Sequence, residues 1–210
     1  MPRRTAAAGV IFLAFQPALV LAVSPGIPPA PRQAQSRPET PAARAPVAQP
    51  YSHLGWTPVS GSNFSLQYPA GWQVQGDPAG GVLTVAPSDG LVKSATGITA
   101  LGLGLEAGYY ALQKGNPELT RDTNAFIDKL MSGNPILRLD TPAVLRQPAK
   151  IRGLFTTFTN ASPFPGETEV VALFTTERPQ GLFCLILIAP RSQMSSARIV
   201  FDRILATLRF

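Results

Sequence analysis

The chain nearly lacks the side chains on which most enzymes are built. Its 210 residues include one histidine and one cysteine. The histidine, His53, falls in a proline- and alanine-rich stretch with no folding periodicity. A Ser-His-Asp triad or a Cys-His dyad needs an imidazole held by a folded scaffold, so neither is available. A zinc centre needs three or four His, Cys or carboxylate ligands, and the H-E-x-x-H pattern is absent. The sequence therefore predicts no metal, no cofactor and no catalytic residues. Cys184 has no second cysteine to bridge to. It sits within Leu182-Phe183-Cys184-Leu185-Ile186-Leu187-Ile188, where a small apolar filler is the expected role.

Charge is also scarce. Only 14% of residues are charged against 45% hydrophobic, which suits a packed domain and is too apolar for a wholly disordered chain. The net charge of +6 is unevenly spread. Arg3 and Arg4 lie in the leader, and Arg32, Arg37 and Arg44 face only Glu39 in residues 23–55. Residues 56–210 carry 13 basic and 11 acidic side chains, a surplus of two. No run of Lys and Arg forms a stripe that could track phosphates, so no nucleic-acid partner is expected.

What is present begins with an export signal. Arg3 and Arg4 form a positive start, Thr5 to Leu21 is apolar and uncharged, and Val20-Leu21-Ala22 offers a small-residue cleavage site. Cleavage after Ala22 would leave a secreted or periplasmic protein with no stable membrane insertion. The competing reading is a retained anchor over Ala6–Val23, which Pro17 interrupts. A lipid anchor is excluded because no cysteine precedes Cys184. Residues 23–55 then hold eight prolines, six alanines and one aromatic, Tyr51. Such a stretch buries too little surface to offset its conformational entropy and reads as a disordered, partly polyproline tether.

From Trp56 the pattern changes to that of a folded domain, residues 56–210. Phe64-Ser65-Leu66-Gln67-Tyr68 alternates with the period of a half-buried strand. Trp72–Val74, Val82–Val85 and Ile98–Leu105 follow as strands. Phe126, Ile127, Leu130 and Met131 share one helical face, with Thr120 as expected N-cap, Gly133 as C′ residue and Pro135 as stop. Gly153–Asn160, Glu169–Thr176 and Leu182–Ala189 read as an antiparallel meander, because their connections are short. The last of these strands is apolar on both faces and is expected to be central. A closing helix carries Met194, Ala197, Phe201, Ile204 and Leu208 on one stripe.

Three local patterns invite chemistry. Glu167 and Glu169 are close in sequence, but at this spacing they are expected to point together into solvent. Gly102-x-Gly104-x-x-Ala107 matches a dinucleotide fingerprint in form, yet lacks the flanking βαβ unit, and close strand packing explains the glycines. Asn160-Ala161-Ser162 is a formal glycosylation sequon followed by Pro163. The candidate binding residues are Phe164 and Glu167, on the loop Ser162-Pro163-Phe164-Pro165-Gly166-Glu167. Flanking prolines limit the loop's conformations and would present the ring cheaply. The alternative is that Phe164 folds back onto the sheet.

Phe64-Ser65-Leu66-Gln67-Tyr68-Pro69-x-x-Trp72 and the ending Phe201–Leu208 resemble the opening and closing elements of PsbP/Mog1-like α/β sandwich domains. Asn134-Pro135-x-Leu137-Arg138, Gly153, Asn160-x-Ser162-Pro163, Gly166-x-x-Glu169, Gly181 and Ala189-Pro190 resemble the domain that follows the protease in certain bacterial M48-type metallopeptidases. No peptidase domain or zinc motif is present here, so protease activity does not carry over. The resemblance implies an α+β fold, an antiparallel sheet covered by helices. It also implies an accessory role in the bacterial cell envelope, through interaction with another, unknown envelope protein. A binder of a small apolar or lipid ligand is the alternative, and a hydrolase using paired carboxylates is a third.

The exported protein is expected to begin at Val23. Intact-mass measurement checks this, and a mass that still includes residues 1–22 would make the molecule membrane-anchored.

Overall fold

The computed structural model describes residues 55–76, 81–93, 99–110 and 117–210. The leader, almost all of the tether and His53 lie outside the described residues. The remainder folds as an α+β sandwich around a seven-stranded antiparallel sheet. Its strands are β3 (Gln73–Gln75), β4 (Val82–Ala86), β7 (Gly104–Tyr110), β8 (Arg138–Arg146), β9 (Gly153–Ala161), β10 (Thr168–Arg178) and β11 (Gly181–Pro190). They lie side by side in the order β3-β4-β7-β11-β10-β9-β8. Two hairpins stand apart, β1 (Trp56–Gly61) with β2 (Phe64–Pro69) and β5 (Leu91–Lys93) with β6 (Thr99–Leu101).

The meander β9-β10-β11 is as expected, with Phe174 opposite Phe155 on one side and Leu185 on the other. All ten residues of β11 are buried. Its even-numbered members, Leu182, Cys184, Ile186 and Ile188, face helix α1 (Leu119–Gly133) with Phe126, Ile127, Leu130, Phe158, Val171 and Leu173. Its odd-numbered members, Phe183, Leu185, Leu187 and Ala189, face helix α2 (Met194–Thr207) and hairpin β1–β2. The predicted stripe of α2 is the buried one, joined by Val200 and Leu205. Phe183 anchors this layer, with its ring edge-on to Phe64, Tyr109 and Phe210 at 5.0, 5.4 and 4.9 Å between centroids. The chain after α2 pairs with β2 through Ser65 N to Arg209 O and Arg209 N to Ser65 O, each 2.9 Å.

Three details differ from the sequence reading. Glu118, not Thr120, caps α1: its two carboxylate oxygens accept from Thr120 N (3.0 Å) and Arg121 N (2.7 Å). A charged acceptor reaching two unsatisfied N–H groups outcompetes a hydroxyl that reaches one. The expected strand over Ile98–Leu105 breaks at Gly102-Leu103 into β6 and β7. A Cβ on Gly102 would lie 2.6 Å from the Phe164 ring, and one on Gly104 2.6 Å from Val85 O, so these glycines do serve close packing. Strand β8 had no periodic signal because it is an edge strand, largely exposed, with Pro142 and irregular pairing between Leu139 and Val144.

Fully burying each large member of the α2 stripe contributes about 1.5–3 kcal/mol, against about 5–15 kcal/mol for a whole domain. Removing residues 199–210 deletes Phe201, Ile204, Leu205 and Leu208 together and opens one face of β11. The truncated protein should show no cooperative thermal transition by circular dichroism. A sharp transition near the full-length midpoint would make α2 peripheral.

Candidate functional site

The loop expected to present Phe164 does not present it. Phe164 is 2% exposed, with its ring against Gly102 and its side chain part of the α2-side core. A bare aromatic at the end of the sheet gains more by burial than by facing water. Glu167 is half-buried, and its Oε1 accepts from the Ser192 hydroxyl at 3.1 Å, tying the loop to the turn before α2. The two residues thus anchor the loop.

Glu169 likewise departs from expectation. It is 2% exposed, on the α1 face of the sheet, where its Oε1 accepts from Asn160 Nδ2 at 2.8 Å. Burial pushes its carboxyl from the ordinary 4.5 up to about 7, against the lowering effect of that hydrogen bond. Glu169 Oε2 and Asn160 Oδ1 are buried without partners. The sequon asparagine is therefore committed to the interior. Glu106, half-buried on β7, is raised by burial to about 7 as well. Glu106 pairs with Ile186 and Glu169 with Pro190 on β11. From strand spacings the two backbones are about 16 Å apart, too far for joint acid–base work.

A closer pair of carboxyls sits at the start of α1. Asp122 accepts from Glu118 N at 2.9 Å and from Arg121 Nε at 2.8 Å, and it shares a hydrogen bond with Glu177 of β10. Burial alone would raise Asp122, but these donors outweigh it and hold the group below the ordinary range. Burial, then the hydrogen bond and charge of Asp122, push Glu177 up. Sequence reasoning missed this pair because 55 positions separate its members; only the packing of α1 on β10 unites them, also through Thr123 and Thr175 hydroxyls 2.8 Å apart. Two of the donors to Asp122 belong to the first turn of α1 and its cap, and the bond shared with Glu177 comes from β10, so the arrangement secures α1 on the sheet. Among the described residues no three His, Cys, Asp or Glu side chains converge as metal ligands.

The concavity with spare binding capacity lies elsewhere, where α2 meets the end of β8. This cleft has a volume of about 290 Å³. It is lined by Arg146, Gln147 and Pro148 on one wall, Arg198, Asp202 and Leu205 on the other, and Phe155 and Phe174 in its floor. The Arg198 guanidinium lies 5.1 Å from the centre of the Phe155 ring. Its Nε donates to both oxygens of Asp202, at 3.2 and 3.3 Å. Among the described residues its terminal nitrogens have no partner. Among the described residues Arg146 makes one long bond, Nη1 to Leu145 O at 3.4 Å, and no ion pair. Beside this rim, Ala149 and Lys150 hold left-handed backbone, φ 48° and 67°. Such strain costs about 1–3 kcal/mol per residue and gathers at ligand clamps.

No family model matches the chain, and no curated protein does. Solved structures do. CyanoP, the cyanobacterial PsbP of Synechocystis sp. PCC 6803, aligns over 74% of this chain and 92% of its own, at 11% identity and a TM-score of 0.48. LpqN of Mycobacterium tuberculosis, described as involved in cell envelope biogenesis, aligns over 74% and 90%, at 13% identity and 0.41. A Bacteroides thetaiotaomicron VPI-5482 protein aligns over 72% of this chain at 16% identity and 0.44. The match spans 46% of that protein's length. These are likenesses of backbone arrangement. Among the described residues, no helix is long and apolar enough to cross a membrane.

The raised carboxyl of Glu169 makes stability depend on pH. A group that binds its proton more tightly when folded stabilises the fold at low pH. That contribution is lost as pH rises from about 4.5 through about 7. Glu169→Gln keeps the bond from Asn160 and offers a donor to Asn160 Oδ1. It should raise stability by about 2–3 kcal/mol at pH 8 and by less than about 1 kcal/mol at pH 5. Urea denaturation at the two pH values checks this. An equal effect at both would show that Glu169 is ionised in the folded protein throughout.

Proposed function

We propose that the chain is an exported, non-catalytic binding module of the bacterial cell envelope, accessory to another protein, and that it binds through the cleft between α2 and the end of β8. The observation that carries this reading is a preformed concavity bordered by two arginines, Arg146 and Arg198, whose terminal nitrogens hold unused donors. Arginine and aromatic side chains dominate the energetic centres of interfaces. The resemblance to the non-catalytic domain attached to some M48-type peptidases belongs with this reading, as does export by the N-terminal signal. The carboxyl groups with raised pKa lend no support to hydrolysis, since Glu177 is hydrogen-bonded to Asp122 at the start of α1, and Glu106 and Glu169 lie far apart. The lipid-binding alternative draws nothing from the cleft, whose 290 Å³ is small for a ligand body and whose rim is charged.

The edge strand β8 also argues for docking at its end and not along it. Leu139 and Leu145 are 43% and 55% exposed. Pro142 and the irregular pairing nevertheless block a partner strand from adding across its middle. A photo-reactive residue placed at Gln147, on the cleft wall, is expected to give a discrete adduct in the native envelope, whereas one at Asp128, on the outer face of α1, gives none. No adduct from the cleft, or the same adduct from both, would reject it as the binding surface.

A further inference from the structure

We infer that Glu169 and Asn160 form a proton-operated latch at the base of the β9–β10 hairpin, closed while Glu169 Oε2 carries a proton that it donates to Asn160 Oδ1, and opened when that proton leaves. The two residues are direct cross-strand partners, next to the last pair of the hairpin, Ala161 with Thr168, and so next to the loop 162–167. Asn160 Nδ2 already donates to Glu169 Oε1 at 2.8 Å. The other oxygen of each group, Glu169 Oε2 and Asn160 Oδ1, is buried without a partner. An amide oxygen and an ionised carboxylate oxygen can only accept, so ionisation leaves both unsatisfied. One proton on Oε2 turns an acceptor into a donor. It closes an acid–amide ring in which every polar atom of the two side chains is engaged.

No charged group stands in for that proton. β11 presents Pro190 opposite Glu169, and Phe158, Val171 and Ile188 beside it on the α1 face are apolar. On the loop, the Glu167 carboxyl accepts from Ser192, and before α2 the Arg191 side chain is exposed. On β8, Arg138 donates to Pro135 O and Leu137 O, and Asp140 accepts from the Thr159 hydroxyl. On α1, Lys129 lies over the Tyr110 ring, and Glu106 of β7 is about 16 Å away by strand spacing. Burial, opposed by the Asn160 bond, sets the Glu169 carboxyl at about 7, with no contribution from any charge. The raised value means that the closed form prevails below about 7 and is lost as pH rises through it.

The loop is where release acts. An ionised Glu169 needs water, and Phe158, Val171 and Ile188 block the way along the sheet. The short way in is the hairpin end. There the loop is held by Ser162 N to Glu167 O and Glu167 N to Phe164 O, each 3.2 Å. Opening the latch loosens these bonds, and with them the seat of Phe164 on Gly102 and the tie from Glu167 to Ser192.

The test follows the full mature chain by NMR between about pH 5 and about pH 9. The Glu169 carboxyl carbon and the Asn160 side-chain carbonyl carbon should shift together, with one midpoint near 7. Over the same range the Ser162 and Glu167 amides, corrected for intrinsic exchange, should lose protection at least tenfold. Dilute urea should speed exchange at Leu185 on β11 and leave the loop amides as they were, because a local opening exposes little surface. Glu169→Gln, whose amide offers Asn160 Oδ1 a donor at every pH, should keep the loop protected throughout. That variant also separates Glu169 from Glu106, which is raised into the same range. Titration of Glu169 near 4.5, as a water bridging the two oxygens would produce, overturns the inference. So does an Asn160 carbonyl that does not follow Glu169, or loop protection that is constant with pH. Loop exchange as urea-sensitive as that of Leu185, or a Glu169→Gln protein whose loop still opens at high pH, overturns it as well.

Discussion

The structure depends on one requirement, that β11 be shielded from water on both faces. Ten consecutive buried residues cannot be accommodated at a sheet edge or on a half-exposed strand. β11 therefore takes the middle of seven strands, and each face needs its own cover. Helix α1 supplies one. The other needs both α2 and the hairpin β1–β2, because a single helix of 14 residues does not span the sheet. The pairing of Ser65 with Arg209 binds these two covers to each other. Phe183 shows the coupling in one side chain, touching β2, β7 and Phe210, which lies beyond the end of α2.

This requirement also decides where polar groups can sit. A carboxyl on an inward-facing position near the meander's end is buried whether or not a cation is at hand. Glu169 has only the Asn160 amide and responds by holding its proton at higher pH. Asp122, at a helix start rich in N–H donors and beside Arg121, stays ionised, and Glu177 next to it is raised in turn. Both behaviours follow from the local donor supply. The cleft arises from the same geometry. α2 packs on the face of β11 and against the turn after β8, and Arg146 and Arg198 border the gap between them.

Much of this fold was legible in the amino-acid order. Alternation announced β2. The short connections announced the meander, and the two-sided apolar run announced the central strand. The spacing from Met194 to Leu208 announced the buried stripe of α2. These signals are local, since period and turn chemistry act within a few residues. Strand β8 gave none, because an exposed edge strand has no buried face to pattern it. The strand break at Gly102 was hidden too, for it answers to Phe164, 62 positions away.

By itself, the sequence determined where the meander strands and the buried stripe of the closing helix fall, and which strand must lie at the heart of the sheet. Composition and periodicity are properties of the chain alone. Only the tertiary structure decided the fate of individual polar and aromatic side chains. It drew Phe164 inward, buried Glu169 beside Asn160, joined Asp122 to Glu177, and set Arg146 opposite Arg198. Each of these depends on which distant segment packs against it, and burial energies depend on that neighbour rather than on the residue's place in the chain.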